Sequence, residues 1–376
     1  MIKALSSQNI ESIIFNYRYD VIWPNDQKCD EKRYEQKIPV VNREEVFHGG
    51  RKSVTVYSSL MEMLATLKFL LIEKNLESKS DRYVVNVVNC FKYPRFFAKC
   101  FLKAPIVPHF YSRKAIRGEL AKIIIDKADK IITSSKTVAN YLEETYNVNK
   151  KKMEILYPPM NVNFYRPSDK NQARRMLRQS EEDEIILYIG NLRRNRFPEE
   201  IVLQTLYNLA KEDTKIKLLI FTPRNDENIK RALEIKTKAK KLNLMANIRI
   251  KVENLSEKKK HIVYVASDLF LYPSLDPTGA IEPPLTILEA MASGLPVISN
   301  DLPSAREIIH DGINGYLVSI RDEQDTGLAE KISELIGNSE IITKLSYNAR
   351  KCIVEEMSYS NSCIKLINVY KDAFRT

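Results

Sequence analysis

The sequence predicts an α/β protein built as two doubly wound, parallel-sheet domains facing a central cleft. Three observations carry this expectation. Short apolar, β-branched runs alternate with helix-period stretches along the chain, the pattern of βα units. The 376 residues exceed what a single core usually organises. A polar, charged stretch over 167–183, opened by Pro167, interrupts the alternation before it restarts. That stretch reads as an interdomain linker able to carry a short helix of its own.

In the first half, strands are expected over 12–16, 83–88, 105–108, 130–133 and 153–157. A helix fits 54–74, where Leu60, Met63, Leu64, Leu67 and Leu71 mark one face, and another fits 137–146 with Ser135 as its N-cap. In the second half, strands are expected over 185–189, 217–221, 248–251, 269–272, 296–299 and 316–318. Helices fit 199–210, 226–242, 258–266, 285–292 and 304–310, with further turns from Asp325 onward. Open α/β sheets bind ligands beyond the carboxyl ends of their strands, so a cleft between two such edges is the expected site.

Composition narrows the class. The best apolar stretch, 60–72, carries Glu62 and Lys68 and is too short to span a bilayer, and the first residues lack an apolar signal core. Cys29, Cys90, Cys100, Cys352 and Cys363 are scattered and never spaced C-x-x-C, against a disulfide framework or a zinc site. A cytoplasmic protein is expected. The charge is lopsided: residues 1–166 hold 28 Lys+Arg against 18 Asp+Glu, so they carry nearly all of the net +11. Within them, Lys92, Arg95, Lys99, Lys103, Arg113, Lys114, Arg117 and Lys122 face a single acid, Glu119. Either this is a solvated basic surface, or it is a face for a polyanion or an anionic membrane. The aromatic–basic run 91–103 suits the inner face of a membrane, although buried aromatics with snorkelling lysines read alike. No G-x-G-x-x-G follows an expected strand, which disfavours a nicotinamide dehydrogenase, and no nucleic-acid-binding motif occurs.

The chemistry concentrates in residues 271–318. Glu282 and Glu289 bracket a Pro283–Pro284 step that opens a helix. A proline costs little at the first helical position. The amides of Leu285 and Thr286 are then unpaired and can hold a phosphate, while the carboxylates accept from hydroxyls. Acids placed only to complement the helix dipole would look similar.

The ordered run Pro273-Ser274, Glu289-Ala290-Met291-Ala292, Gly294-Leu295-Pro296-Val297-Ile298 and Gly312-Ile313-Asn314-Gly315-Tyr316-Leu317-Val318 resembles glycosyltransferase family 4, retaining enzymes of GT-B fold with two Rossmann-like domains. The family's E-x7-E departs here to six intervening residues, with Ile281 at the strict first position and Glu282 beside it. The resemblance implies that Glu289 accepts from the donor ribose and that Glu282 contacts the donor sugar or stabilises charge on its anomeric carbon. A second match, Gly190-Asn191-Leu192-Arg193-Arg194-Asn195-Arg196, resembles the family's G-R-L-x-x-x-K-G, with Asn191 at the Arg and Arg196 at the Lys. Arg196, with Arg193 in reserve, would neutralise the leaving diphosphate without a metal, and no D-x-D triplet occurs. A solvated basic loop is the plainer alternative. His109, ending a strand, stands where the family often keeps a histidine near acceptor and sugar, although a structural histidine fits as well. Gly49 and Gly50 resemble the acceptor-side glycine loop, although a plain turn fits almost as well.

In sum of its parts, the resemblance implies a metal-independent, retaining transfer from a nucleoside-diphosphate sugar to a glycan or lipid-linked acceptor, with no cofactor and no nucleic acid. The domains would be 1–166 on the acceptor side, 167–356 on the donor side, and a last helix over 357–376 crossing back. A sugar-nucleotide epimerase, a phosphorylase-like enzyme or a degenerate polyanion-binding relative are the competing readings.

Overall fold

The computed structural model describes residues 14–16, 19–22, 85–88, 105–116, 118–276, 278, 281–320 and 327–373. Gly49, Gly50, the helix expected over 54–74 and the basic run 91–103 lie outside them. The chain divides into two compact units: Met1–Ser134 with Val138–Leu156 and Ser362–Thr376, and Ser135–Thr137 with Tyr157–Asn361.

In the first unit, β1 (Ile14–Asn16) and β2 (Tyr19–Ile22) pair antiparallel. The strands β3 (Val85–Val88), β4 (Ile106–Phe110), β5 (Ile131–Thr133) and β6 (Met153–Ile155) form a parallel sheet in that order. Helix α1 (Gly118–Lys127) was not among the expected elements. Its consecutive Ile123, Ile124 and Ile125 imitate a strand, yet Ala121, Ile124 and Ile125 pack with Phe110, Ile131, Val138 and Leu142 in one core. Helix α2 (Lys136–Tyr146) supplies the last two of those side chains. Asp129 ties the helix exit to the sheet: its carboxylate accepts from the Ile106 amide at 2.8 Å, and its own amide donates to the Ile106 carbonyl at 3.0 Å.

The second unit opens with α3 (Lys170–Leu177), the short helix inside the expected linker, N-capped by Asp169, which accepts from Gln172 N at 2.9 Å. Six strands follow: β7 (Glu184–Ile189), β8 (Ile216–Thr222), β9 (Ile248–Val252), β10 (Leu269–Tyr272), β11 (Val297–Asn300) and β12 (Gly315–Val318). All are parallel, in the order β12-β11-β10-β7-β8-β9. The helices between them are α4 (Glu199–Glu212), α5 (Asp226–Lys241), α6 (Glu257–Ala266), α7 (Leu285–Ala292) and α8 (Pro303–Arg306). After the last strand come α9 (Gly327–Leu335), α10 (Ser339–Met357) and α11 (Tyr359–Ala373). β-Strand alternation splits β7 between two cores: Ile185, Leu187 and Ile189 face one, Ile186 and Tyr188 the other. Helix α8 is shorter than the expected 304–310, because Asn314 takes over the backbone there. Its side chain accepts from His310 N at 2.7 Å and donates to Ile308 O at 3.0 Å.

Gly315 lets β12 approach β11. A Cβ on it would stand 2.7 Å from the Val297 carbonyl oxygen and 3.1 Å from Ile309. Gly315→Ala should therefore cost about 1–3 kcal/mol of stability. A urea midpoint unchanged from the parent would contradict this packing.

Candidate functional site

The sheet of the second unit reverses direction between β7 and β10. From β7 the chain builds outward through β8 and β9, then returns to the other side of β7 at β10. Ligands of open α/β sheets bind beyond the carboxyl ends at such a reversal. The two loops leaving those strand ends carry the residues singled out from the sequence.

The loop after β7 is held rigidly. A side chain on Gly190 would collide with Tyr188, whose hydroxyl donates to Asn191 O at 2.6 Å. Helix α5 grips the Leu192 peptide from both sides: Asn228 Oδ1 accepts its N–H at 3.0 Å and Arg231 Nε donates to its carbonyl at 3.0 Å. Arg231 in turn pairs with the fully buried Glu199, the first residue of α4. Asn191, at the family's arginine position, accepts the Arg193 amide at 3.0 Å. Arg196 reaches across to the loop after β10. Its guanidinium donates to Tyr272 Oη at 3.2 Å and Thr278 O at 2.5 Å and lies 3.2 Å from Asp276. Arg193 turns outward to Glu227 at 3.0 Å, and both side chains are largely exposed.

The loop after β10 is laced to its neighbour. The amides of Leu275 and Asp276 donate to Asn195 O at 2.8 and 3.1 Å, and Asn300, ending β11, donates to Ser274 O at 2.9 Å. Helix α7 then begins without a side-chain cap. By contrast, Asn225 caps α5 and Ser256 caps α6. Pro284 occupies the N-cap rather than the expected first helical position, so Leu285 is the first residue of the helix. Among the described residues, the Leu285 and Thr286 amides meet no acceptor, because the first bonds of α7 are Ile287 and Leu288 to Pro284 O. An uncapped helix start carries partial positive charge and free donors, and the loop that leads into it is the one Arg196 braces.

The two acids differ. Glu282 is fully buried and precedes a cis bond to Pro283. Glu289 is 6% exposed and faces α6, where Lys260 Nζ lies 2.6 Å from Oε1 and the Tyr264 hydroxyl donates to Oε2 at 2.8 Å. Burial pushes its carboxyl above the ordinary range, and Lys260 and Tyr264 pull it back only in part. The spacing of Lys260 and Tyr264 places both on one helical face, a signal present in the sequence but not tied there to Glu289. Asn228, Arg231 and Tyr272 were missed as well.

His109 ends up fully buried on β4 of the first unit, 6.5 Å from the Tyr111 ring. Burial lowers its pKa to about 3, so the imidazole is neutral at physiological pH. A separate cavity of about 540 Å³ lies at the amino ends of β10 and β11, lined by Lys170, Asp268, Pro296 and Arg350. It is at the opposite edge of the sheet from Arg196 and the start of α7.

A parallel sheet whose reversal point meets a clamped cationic loop and an uncapped helix defines a doubly wound ligand-binding unit. Residues 169–352 match the family model described as "Glycosyl transferases group 1". A D-inositol 3-phosphate glycosyltransferase from Nocardia farcinica is 24% identical over 229 residues, covering 61% of this chain and 49% of that protein. The chain thus spans about half the length of that curated relative. Among solved structures, a glycosyltransferase from Rickettsia africae aligns with a TM-score of 0.68 at 19% identity, covering 81% of this chain and 80% of the other. Anabaena HepE in complex with UDP aligns with a TM-score of 0.62 at 15% identity, covering 72% and 73%. The fold is of the GT-B class expected from the motifs.

Proposed function

We propose that the protein transfers a glycosyl group from a nucleoside-diphosphate sugar to a glycan or lipid-linked acceptor, with retention and without a metal or cofactor. One observation carries the reading: Arg196 braces the loop after β10 at the reversal point of the sheet, and that loop ends at the Leu285 and Thr286 amides, which have no partner among the described residues. As the bond from the anomeric carbon to the donor phosphate breaks, negative charge grows on the departing diphosphate. A guanidinium and a helix start stabilise that charge, which is the service a divalent cation would otherwise provide. Glu289 takes the ribose hydroxyls, and Glu282, in the turn before α7, supplies negative charge toward the sugar. Gly190 and Asn191 give the diphosphate close backbone approach. The acceptor belongs to the first unit, where the basic sequence around residues 91–103 would meet a glycan or an anionic membrane surface, while the buried His109 would act from beneath that surface and not by contact. The structural neighbour HepE was solved with UDP, which supports a nucleotide donor.

The test is a thermal-shift panel of UDP, GDP and ADP followed by turnover of the matching sugar nucleotide in the presence of chelator. One nucleotide should raise the melting temperature in proportion to its occupancy. Nucleoside diphosphate should then appear only when acceptor is added. Release without acceptor, or loss of turnover on chelation, would overturn the respective part of the reading.

A further inference from the structure

Around Glu289 lies a set of charges running from its buried carboxylate to the exposed Glu257, whose shared cation the proposed reaction does not by itself require. Glu289 Oε1 takes Lys260 Nζ at 2.6 Å, and Oε2 takes the Tyr264 hydroxyl at 2.8 Å. The Tyr165 hydroxyl sits 3.3 Å from Oε1, but its single proton goes to the nearer Glu257 Oε2 at 2.6 Å. Lys260 also stands 3.3 Å from Glu257, so one ammonium serves two carboxylates. His261 completes the surroundings, its ring edge-on to Tyr165 at 6.2 Å. The groups facing Glu289 are therefore Glu257, Lys260, His261 and Tyr264 from α6, and Tyr165 from the segment before α3.

An ionised carboxylate offers about four acceptor positions, and a protonated one gives some of them up. Burial and the neighbouring Glu257 both favour protonation of Glu289, and Lys260 opposes them. A Glu289 that lost its counter-ion would therefore stop accepting from hydroxyls at a higher pH.

We propose that Lys260 is a positioning residue for the nucleotide donor. It keeps Glu289 charged and turned so that the acceptor positions left open by Lys260 and Tyr264 receive the ribose hydroxyls. This rests on the reading of Glu289 as the ribose contact. Lys260 itself touches no part of the donor; it acts through the carboxylate, and its effect is to keep the titration of Glu289 out of the pH dependence of donor binding around neutrality.

The experiment is calorimetric titration of the full chain with UDP, GDP and ADP at about pH 6 and about pH 8.5, using the parent, Lys260→Met, Lys260→Gln and Lys260→Arg. The parent sets the reference affinity at each pH, because the terminal phosphate of the nucleotide itself titrates at about pH 6. In Lys260→Met, binding is near the parent's at the higher pH and at least about tenfold weaker at the lower, one pKa unit's worth of loss. Lys260→Gln, which keeps an N–H donor without the charge, shows the same slope and serves if the methionine variant does not fold. Lys260→Arg restores the parent's profile. Affinities that match the parent's at both pH values in both neutral variants, or that are weaker than the parent's by one factor at every pH, overturn the role given to Lys260. A parent that binds none of the three nucleotides overturns the donor reading itself.

Discussion

Replacing Arg196 by alanine should lower kcat/KM for the sugar nucleotide by about a hundred- to a thousandfold, the range for removing one preorganised donor from a developing anion. The guanidinium is 20% exposed and is aimed by three partners at once, Tyr272, Thr278 and Asp276, so it is fixed before any ligand arrives. A charge already in place needs no reorganisation as the diphosphate departs. Stability should fall by only about 1 kcal/mol, because the ion pair with Asp276 is partly open to solvent. Arg196→Lys should recover part of the rate, since it keeps the charge but loses the planar fork. Initial rates under subsaturating donor, set beside a thermal melt, decide the matter. A folded Arg196→Ala protein of parental activity would remove the cation from the mechanism.

The route from sequence to this site was uneven, for physical reasons. Strand β10 and helix α7 take the expected bounds because an unbroken apolar run and a Pro-Pro step are local signals. Helix α1 escaped because three consecutive isoleucines look like a strand until their burial pattern is known. Within the loop after β7, spacing alone could not rank the arginines. The turn closed by Arg196 N to Arg193 O at 2.8 Å sends one inward to Asp276 and the other out to Glu227. Polar partners distant in the chain leave no periodic trace. Lys260 meets Glu289 across 29 positions, and Arg231 meets Leu192 across 39. Such pairs are set by how helices pack on the sheet, so the motif residues were legible in the sequence and the groups that hold them were not.

Those holding groups are where the largest loss of stability should appear. Arg231→Met leaves Glu199 fully buried without its guanidinium partner and should destabilise the fold by about 3–5 kcal/mol. Glu199→Leu added to it should recover most of the loss, because two apolar groups replace a pair rather than orphan one member. In the parent, burial pushes the Glu199 carboxyl up, but Arg231, the helix N–H groups and Lys238 outweigh it, and its pKa ends below the ordinary range. A carboxylate depressed in the folded state stabilises above its unfolded pKa, and that contribution is lost as pH falls through the folded value. With Arg231 gone, Lys238 at 3.1 Å and the backbone N–H remain, so the depression shrinks and less stability is lost when Glu199 protonates. The gap between parent and variant in urea titrations should therefore narrow as pH drops below the normal carboxylate range; a gap constant with pH would mean that Glu199 is not the group left stranded. The same substitution frees the Leu192 carbonyl and loosens the loop that aims Arg196, so donor affinity should fall even where the variant is still fully folded.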